Sequence, residues 1–137
     1  MTLCYRLRLL LASVLCALSL YGCIPGVFGE WLVKTDPGDS QGQRAVAVLK
    51  AQGFSEWKEA TNSSVPESRF FAHREYPVGV DLKVSDDGVR VSFEEHLDRI
   101  STGGARIFLA LGEALRSEFG PAQVIQTRSP RGLDGTP

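Results

Sequence analysis

The side chains best suited to chemistry are carboxylates and imidazoles in or near two segments that alternate like strands: His73, Glu94, Glu95, His96 and Asp98. Metal binding or acid/base catalysis would require at least two of them to converge. Because successive side chains of a strand point to opposite faces, Glu94 and His96 should lie on one face and Glu95 on the other. The alternation favours a solvated strand end over a reactive site, and we expect no metal and no cofactor.

Other catalytic signatures are missing from the sequence, which contains no GxSxG nucleophile elbow, no HExxH zinc motif and no phosphate-binding loop. Gly103-Gly104 lies ahead of a predicted helix and could present backbone N–H groups to an anion, because a helix N-terminus favours negative charge. A flexible helix cap is the simpler interpretation of this pair. The motifs therefore favour a protein without catalytic activity.

Cys23 lies directly after the most apolar run in the chain. The N-terminus is basic through Arg6 and Arg8, and residues 9–20 form an apolar stretch of 12 residues. This length is typical of the hydrophobic region of a signal peptide and is short of the roughly 20 residues that cross a bilayer. Glycines and a proline follow closely and would interrupt a spanning helix. We therefore interpret residues 1–22 as a targeting segment.

The residues Leu20-Tyr21-Gly22-Cys23 resemble the lipobox of bacterial lipoproteins, in which an aliphatic residue and a small residue precede a modified cysteine. Three of the four positions fit the pattern, and Tyr21 stands where a smaller residue is commoner. The resemblance implies cleavage between Gly22 and Cys23, a thioether-linked diacylglycerol on Cys23, and acylation of the new amino terminus. Ordinary secretory cleavage and a buried structural cysteine are the alternatives.

The number of cysteines agrees with lipidation. Three cysteines in an exported chain would leave one unpaired, whereas cleavage removes Cys4 and Cys16 and leaves Cys23 alone. By the same resemblance, Ile24 is not the Asp that favours retention in the inner membrane. We therefore expect a lipoprotein in the cell envelope, anchored in the membrane through Cys23 at the periplasmic face of the outer membrane.

The charge of the chain argues against one class of partner. Arg6 and Arg8 are the only charged side chains in residues 1–22, so residues 23–137 carry 13 basic and 16 acidic side chains, a net charge of −3. Binding of nucleic acid rests on clustered Lys and Arg. We expect no nucleic-acid partner.

The distribution of Gly and Pro predicts where the folded part begins and ends. We interpret residues 23–39 as the lipidated N-terminus and a spacer, with a short edge strand near residues 30–34. Residues 40–127 are long enough for a single domain. Residues 128–137 are rich in Gly and Pro and are predicted to be a disordered tail.

Two helices are predicted in the domain. The first spans residues 41–52 and begins with a capping box of Ser40 and Gln43. The second is capped by Ser101 or Thr102 and repeats apolar residues at spacings of three and four until a Gly-Pro pair ends it. A short strand over residues 54–61 with an inward Trp57 and a last strand over residues 122–127 complete the elements around the central strands.

The hairpin around residues 85–88 can be predicted in register. The apolar residues before and after SDDG must reach the same core, which pairs Val84 with Val89 and Leu82 with Val91. This pairing needs a loop of even length, either a two-residue turn at residues 86–87 or a four-residue loop. The order of elements predicts an α+β two-layer sandwich with two helices on one face of a mostly antiparallel sheet, and a ferredoxin-like arrangement is one candidate.

Several aromatic residues exceed what the hairpin core requires and form a candidate partner surface: Phe28, Trp31, Phe70, Phe71 and Tyr76. Completion of the core beneath the first helix is the alternative. The sequence favours a lipid-anchored, non-catalytic domain that binds an envelope protein or a small ligand. The other hypotheses are a small periplasmic enzyme or metal-binding protein that uses His73, Glu94 and His96, and a purely structural spacer.

Overall fold

The fold consists of an antiparallel sheet and two helices. A computed structural model describes residues 26–35, 39–58 and 68–134. Within these residues the elements are, in chain order, β1 (Val27–Val33), α1 (Asp39–Ala51), β2 (Phe54–Glu56), β3 (Ser68–His73), β4 (Val78–Ser85), β5 (Gly88–Glu95), α2 (Thr102–Phe119) and β6 (Val124–Arg128). The predicted signal segment, Cys23 and the predicted spacer up to residue 25 lie outside the described residues.

The six described strands form one sheet in the order β2-β3-β4-β5-β1-β6, and every neighbouring pair is antiparallel. The helices α1 and α2 contact each other and pack against the same buried side of the sheet. The predicted α+β two-layer sandwich is therefore confirmed. Four described strands separate the two helices along the chain, whereas a ferredoxin-like domain has two in the order βαββαβ.

The core lies between the sheet and the helices. It centres on Trp31, whose ring stacks on Phe108 of α2 at a centroid distance of 4.2 Å, while Phe93 meets Phe108 edge-on at 5.4 Å. Burial of apolar area at about 25 cal/mol per Å² is the main stabilising contribution in such a layer. Fully buried neighbours from strands and helices complete it: Val33, Leu49, Phe54, Phe71, Val80, Leu82, Val91, Leu111 and Leu115.

The predicted register of the central hairpin is confirmed. Val84 pairs with Val89, Leu82 pairs with Val91, and Ser85 pairs with Gly88. Of the two loops that the sequence left open, the structure has the two-residue turn at residues 86–87. The Ser85 hydroxyl donates to the Asp87 carboxylate and holds this turn closed.

Two predictions for the N-terminal half are wrong. β1 begins at Val27, inside the predicted spacer, and it lies between β5 and β6 rather than at an edge. Trp57 does not point inward, because β2 ends at Glu56 and its pairing with β3 directs Phe54 to the core; Trp57 is 50% exposed. α1 begins at Asp39, ahead of the predicted cap, and the side chains of residues 39–41 are not described.

The predicted disordered tail is wrong for residues 128–134. Pro130 is buried, and the carbonyl oxygen of Arg131 accepts a hydrogen bond from the N–H of Ile100 at 3.0 Å. Leu133 packs against the core. The segment is ordered because these contacts close the end of the sheet where β1 begins. Residues 135–137 lie outside the part of the chain that the structure describes.

Candidate functional site

The aromatic residues predicted as one partner surface do not lie together. Trp31 and Phe71 are fully buried in the core, so their assignment to a surface is wrong. Tyr76 is half-buried and its ring lies against the start of α2, where Arg106 donates to its hydroxyl. Phe28 and Phe70 remain on the other side of the sheet, because each precedes a core residue by an odd number of positions.

The side of the sheet opposite the helices, here called the open sheet face, holds the most exposed apolar side chains of the strands. Phe28 is 38% exposed and Ile125 is 40% exposed, and Leu32 pairs directly with Ile125 across β1 and β6. These three residues form an apolar strip along β1 and β6 that is interrupted by Glu30, which lies between Phe28 and Leu32 on the same face of β1. The Arg128 guanidinium lies 5.2 Å above the Phe28 ring, a distance at which a cation is attracted by the ring.

The polar network that interrupts the apolar strip is organised by Glu30. Its carboxylate accepts hydrogen bonds from the Thr127 hydroxyl at 2.8 Å, the Ser92 hydroxyl at 3.1 Å and the Arg90 guanidinium at 3.4 Å. A register shift in the β1–β6 pairing occurs between Glu30 and Trp31, next to this carboxylate. The network fixes Glu30 in position between three strands and leaves acidic and basic groups next to the strip.

The opposite edge of the sheet carries a second aromatic pair. The rings of Trp57 and Phe70 are 6.1 Å apart in a tilted arrangement, and the Phe70 ring lies over Gly79. Between this pair and the apolar strip, the Ser68 hydroxyl donates to the Asp81 carboxylate at 2.5 Å. The open sheet face therefore has a polar centre with apolar groups on either side.

The predicted reactive side chains are not brought together. β4 lies between β3, which ends at His73, and β5, which carries Glu94, so the two strands are about 10 Å apart. The His73 ring packs edge-on against Phe54 at 5.0 Å, and its Nδ1 accepts from the N–H groups of residues 75 and 76 at 3.1 and 3.3 Å. His73 thus serves the β3–β4 turn.

The residues that follow β5 are exposed and spread apart. The His96 Nε2 lies 3.8 Å from Glu94 Oε1, and the His96 side chain is 67% exposed. Asp98 is exposed in the loop after β5. Among the described residues, no three His, Cys, Asp or Glu side chains lie close enough together to hold a metal ion. The geometry gives no support to the alternative site at His73, Glu94 and His96.

Glu95 is the buried carboxylate of the fold, and the sequence did not identify its role. It is 2% exposed, and its oxygens accept from the Ser101 N–H at 2.9 Å and the Ser101 hydroxyl at 2.6 Å. The Ser101 hydroxyl in turn accepts from the Gly104 N–H at 2.9 Å and caps α2. The anion at the helix N-terminus is therefore a side chain of the protein itself.

The Gly103-Gly104 pair is explained by close packing at this cap. A Cβ on Gly104 would lie 2.4 Å from the Glu95 carboxylate, and a Cβ on Gly103 would lie 2.6 Å from the Tyr76 ring. Both distances are far inside van der Waals contact. The pair was predicted either to bind an anion or to form a flexible cap, and it instead allows Glu95 and Tyr76 to approach the start of α2.

A shallow groove of about 370 Å³ lies between α1 and β3. Its one strand residue, Arg69, forms two hydrogen bonds with Glu56, at 2.8 and 2.7 Å. The Arg69 guanidinium lowers the pKa of the Glu56 carboxyl and Glu56 raises the pKa of Arg69, through the hydrogen bonds that join them. This cation is already matched by a carboxylate. The groove is lined by Gln43, Val46, Ala47, Lys50 and Arg69.

Neither of the described helices combines the length and apolarity that crossing a membrane requires. Cys23 and Gly22 fall outside the described residues, so the predicted cleavage and lipidation at Cys23 rest on the sequence alone. A comparison with protein-family models finds none that matches the chain, and a search of curated proteins finds no relative.

Proposed function

We propose that the chain is a lipid-anchored lipoprotein of the cell envelope whose domain binds an envelope protein without catalysing a reaction. The anchor is the diacylglycerol on Cys23, exposed by cleavage after Gly22, and the membrane is the outer membrane at its periplasmic face. The similarity of residues 20–23 to a lipobox supports the anchor. The binding surface is the open sheet face.

The observation that carries the binding proposal is the composition of the open sheet face. The exposed Phe28 and Ile125 and the half-buried Leu32 form an apolar strip, and the hydrogen-bonded Glu30 network lies within it between Phe28 and Leu32. Interfaces between proteins combine apolar and hydrogen-bonding groups, and aromatic residues and Arg are enriched in them. Arg128 above the Phe28 ring adds a cation at the margin of the strip.

The shape of this surface favours a protein over a small ligand. Sites for small molecules are concave and enclose most of the ligand. A sheet face is broad, and the strip follows two neighbouring strands along their length. A partner that lays an apolar surface over Phe28 and Ile125 would keep water away from both residues while its polar groups meet Arg90, Glu30 and Thr127.

The anchor is tested by replacing Cys23 with alanine in cells fed a radioactive fatty acid. We expect Cys23→Ala to abolish labelling and to leave the precursor uncut, because both steps need the thiol. Cys16→Ala is the matched control, since Cys16 lies in the segment that cleavage removes, and it should keep both. Unchanged labelling of Cys23→Ala would rule out the anchor.

The binding surface is tested with a photoreactive amino acid placed in turn at two exposed apolar positions. Ile125 lies on the open sheet face, and Leu109, at 56% exposure, lies on α2. In intact cells we expect Ile125 to give a discrete crosslinked product that Phe28→Ser weakens, and Leu109 to give none. A product of equal yield from both positions would contradict the proposed surface.

A further inference from the structure

We infer that the end of the domain at which β1 begins rests on the lipid bilayer, so that the strands stand away from the membrane and the hairpin tip at residues 86–87 points outward. This inference rests on the lipidation of Cys23 proposed above. The partner of this end is the phospholipid surface in which the acyl chains of Cys23 are embedded. We call this part the proximal end and define it by residues 74–77, 96–101 and 129–134.

The segment that joins Cys23 to β1, here called the tether, is short. Ile24, Pro25 and Gly26 are the only residues between Cys23 and the first residue of β1. Even a fully extended chain reaches at most about 14 Å over these four steps. An eight-residue strand such as β4 is about 25 Å long. The tether is therefore shorter than the sheet, and the start of β1 must stay near the bilayer.

The register of the strands shows which parts of the fold share this end. Val27, the first residue of β1, pairs with Glu95, and Glu95 also pairs with Val78 at the start of β4. The loop before β4, the loop after β5 and the ordered segment after β6 consequently surround the start of β1. The carbonyl of Arg131 accepts from the N–H of Ile100, which joins two of these segments.

The side chains at the proximal end suit a lipid surface. Leu97 is 44% exposed in the loop after β5. The exposed charges of the three segments are balanced in number. Three are basic, Arg74, Arg99 and Arg131, and three are acidic, Glu75, Asp98 and Asp134. Arginine can meet lipid phosphates, and no block of negative charge opposes their approach.

The other orientations are less favourable. At the opposite end, the hairpin tip carries Asp86 and Asp87 side by side, both exposed. If the domain lay flat on its open sheet face instead, the charged network of Glu30 would be pressed against the bilayer. Removing carboxylates from water costs free energy unless new partners compensate. Standing on the proximal end brings carboxylates to the bilayer only together with an equal number of arginines, and it leaves the open sheet face accessible from the side.

The orientation is tested with single-cysteine variants of the full lipidated protein, reconstituted in vesicles of phosphatidylethanolamine and phosphatidylglycerol. Leu97→Cys reports on the proximal end, Asp86→Cys on the hairpin tip and Ile125→Cys on the open sheet face. The lipidated Cys23 is a thioether and does not react with a maleimide dye. Each dye is then quenched by a nitroxide attached to the lipid headgroups.

We expect quenching at Leu97→Cys to exceed quenching at Asp86→Cys by about threefold or more, because roughly 25 Å of strand separates the two ends. Ile125→Cys should lie between them. Strongest quenching at Ile125→Cys would show a domain lying on its open sheet face, equal quenching at all three positions would show no fixed orientation, and strongest quenching at Asp86→Cys would show an inverted domain. Each of these results overturns the orientation.

Whether Cys23 carries a lipid is measured separately, before any quenching experiment. The protein without an added cysteine should resist the maleimide and float with the vesicles. If it reacts with the dye and stays behind, Cys23 carries no lipid, and both the anchor and the orientation are wrong. If it floats and the quenching pattern fails, the anchor stands and only the orientation is wrong.

Discussion

Replacing Glu95 with alanine should destabilise the domain far more than the same change at the adjacent Glu94. The Glu95 carboxylate is buried and accepts two hydrogen bonds from Ser101, which caps α2. Glu94 is on the other side of β5, and its nearest ionic neighbour is the exposed His96 at 3.8 Å. The two carboxylates are adjacent in the sequence and lie on opposite faces of β5, so the comparison isolates the contribution of the buried position to stability.

The magnitude follows from the contacts that are lost. A hydrogen bond to a charged group contributes about 1.5–3 kcal/mol net, and a carboxylate at a helix N-terminus adds about 0.3–1 kcal/mol. Two effects reduce the loss. Burial of the Glu95 carboxylate is itself unfavourable, and in the variant water can partly replace the carboxylate as a hydrogen-bond partner of the half-buried Ser101. We therefore expect Glu95→Ala to lower the free energy of unfolding by about 2–4 kcal/mol, a large share of the 5–15 kcal/mol typical of a domain.

Urea and thermal unfolding followed by circular dichroism, on residues 24–137 produced without the lipid, measure this difference. Glu94→Ala should stay within about 0.5 kcal/mol of the unchanged protein. Ser101→Ala combined with Glu95→Ala should cost less than the sum of the two single changes, because they remove the same contact. Equal effects of the two alanine variants, or strict additivity with Ser101→Ala, would refute this account of the cap.

Two further changes test the sheet and its edge. Leu82→Asp should unfold the domain because it places an unpaired charge in the core, whereas Lys83→Asp, on the exposed side of the same strand, should be tolerated. Circular dichroism distinguishes a folded from an unfolded variant. Equal effects of the two substitutions would contradict the assignment of these residues to opposite faces. Arg69 lowers the pKa of Glu56 below its ordinary value of 4.5, so this pair stabilises the folded state above that pH and the stabilisation is lost as the pH falls through the lowered pKa. The loss of unfolding free energy in Glu56→Gln should therefore be largest near neutral pH and vanish in acid, and a loss that is independent of pH would contradict the ion pair.

Local patterns were sufficient to predict the central hairpin and α2. Alternation at period two placed Leu82 and Val91 on the same face, and the need for one shared core then determined their pairing. In α2, spacings of three and four collect Phe108, Leu111 and Leu115 on the buried side. Both inferences depend only on residues that are close in sequence, and for this reason they are correct.

The position of β1 depends on pairing between distant parts of the chain, which periodicity does not encode. β6 lies almost a hundred residues after β1 and pairs along its outer side, so a strand that reads as an edge is in the interior of the sheet. The same distant segment orders residues 128–134, whose Gly and Pro content alone predicts disorder. Composition reports local preference, and tertiary contacts override it in both cases.

The aromatic surface could have been separated correctly from the sequence. Phe70 and Phe71 are adjacent in one strand, so they must point to opposite faces of the sheet, and Phe28 and Trp31 are three residues apart with the same consequence. Treating these residues as one surface ignored this rule. Applied consistently, alternation assigns Trp31 and Phe71 to the core and leaves Phe28 and Phe70 on the open sheet face.

The segment that looked most reactive, residues 93–99, serves mainly to join β5 to α2. Its buried carboxylate accepts hydrogen bonds from Ser101, the residue that caps α2, and Gly104 allows that carboxylate to approach the start of the helix. The Ser101 N–H donates to Glu95 and the Gly104 N–H donates to Ser101, so neither of these two groups is left for an external anion. The partner surface that we propose is therefore the open sheet face along β1 and β6 and not this cap.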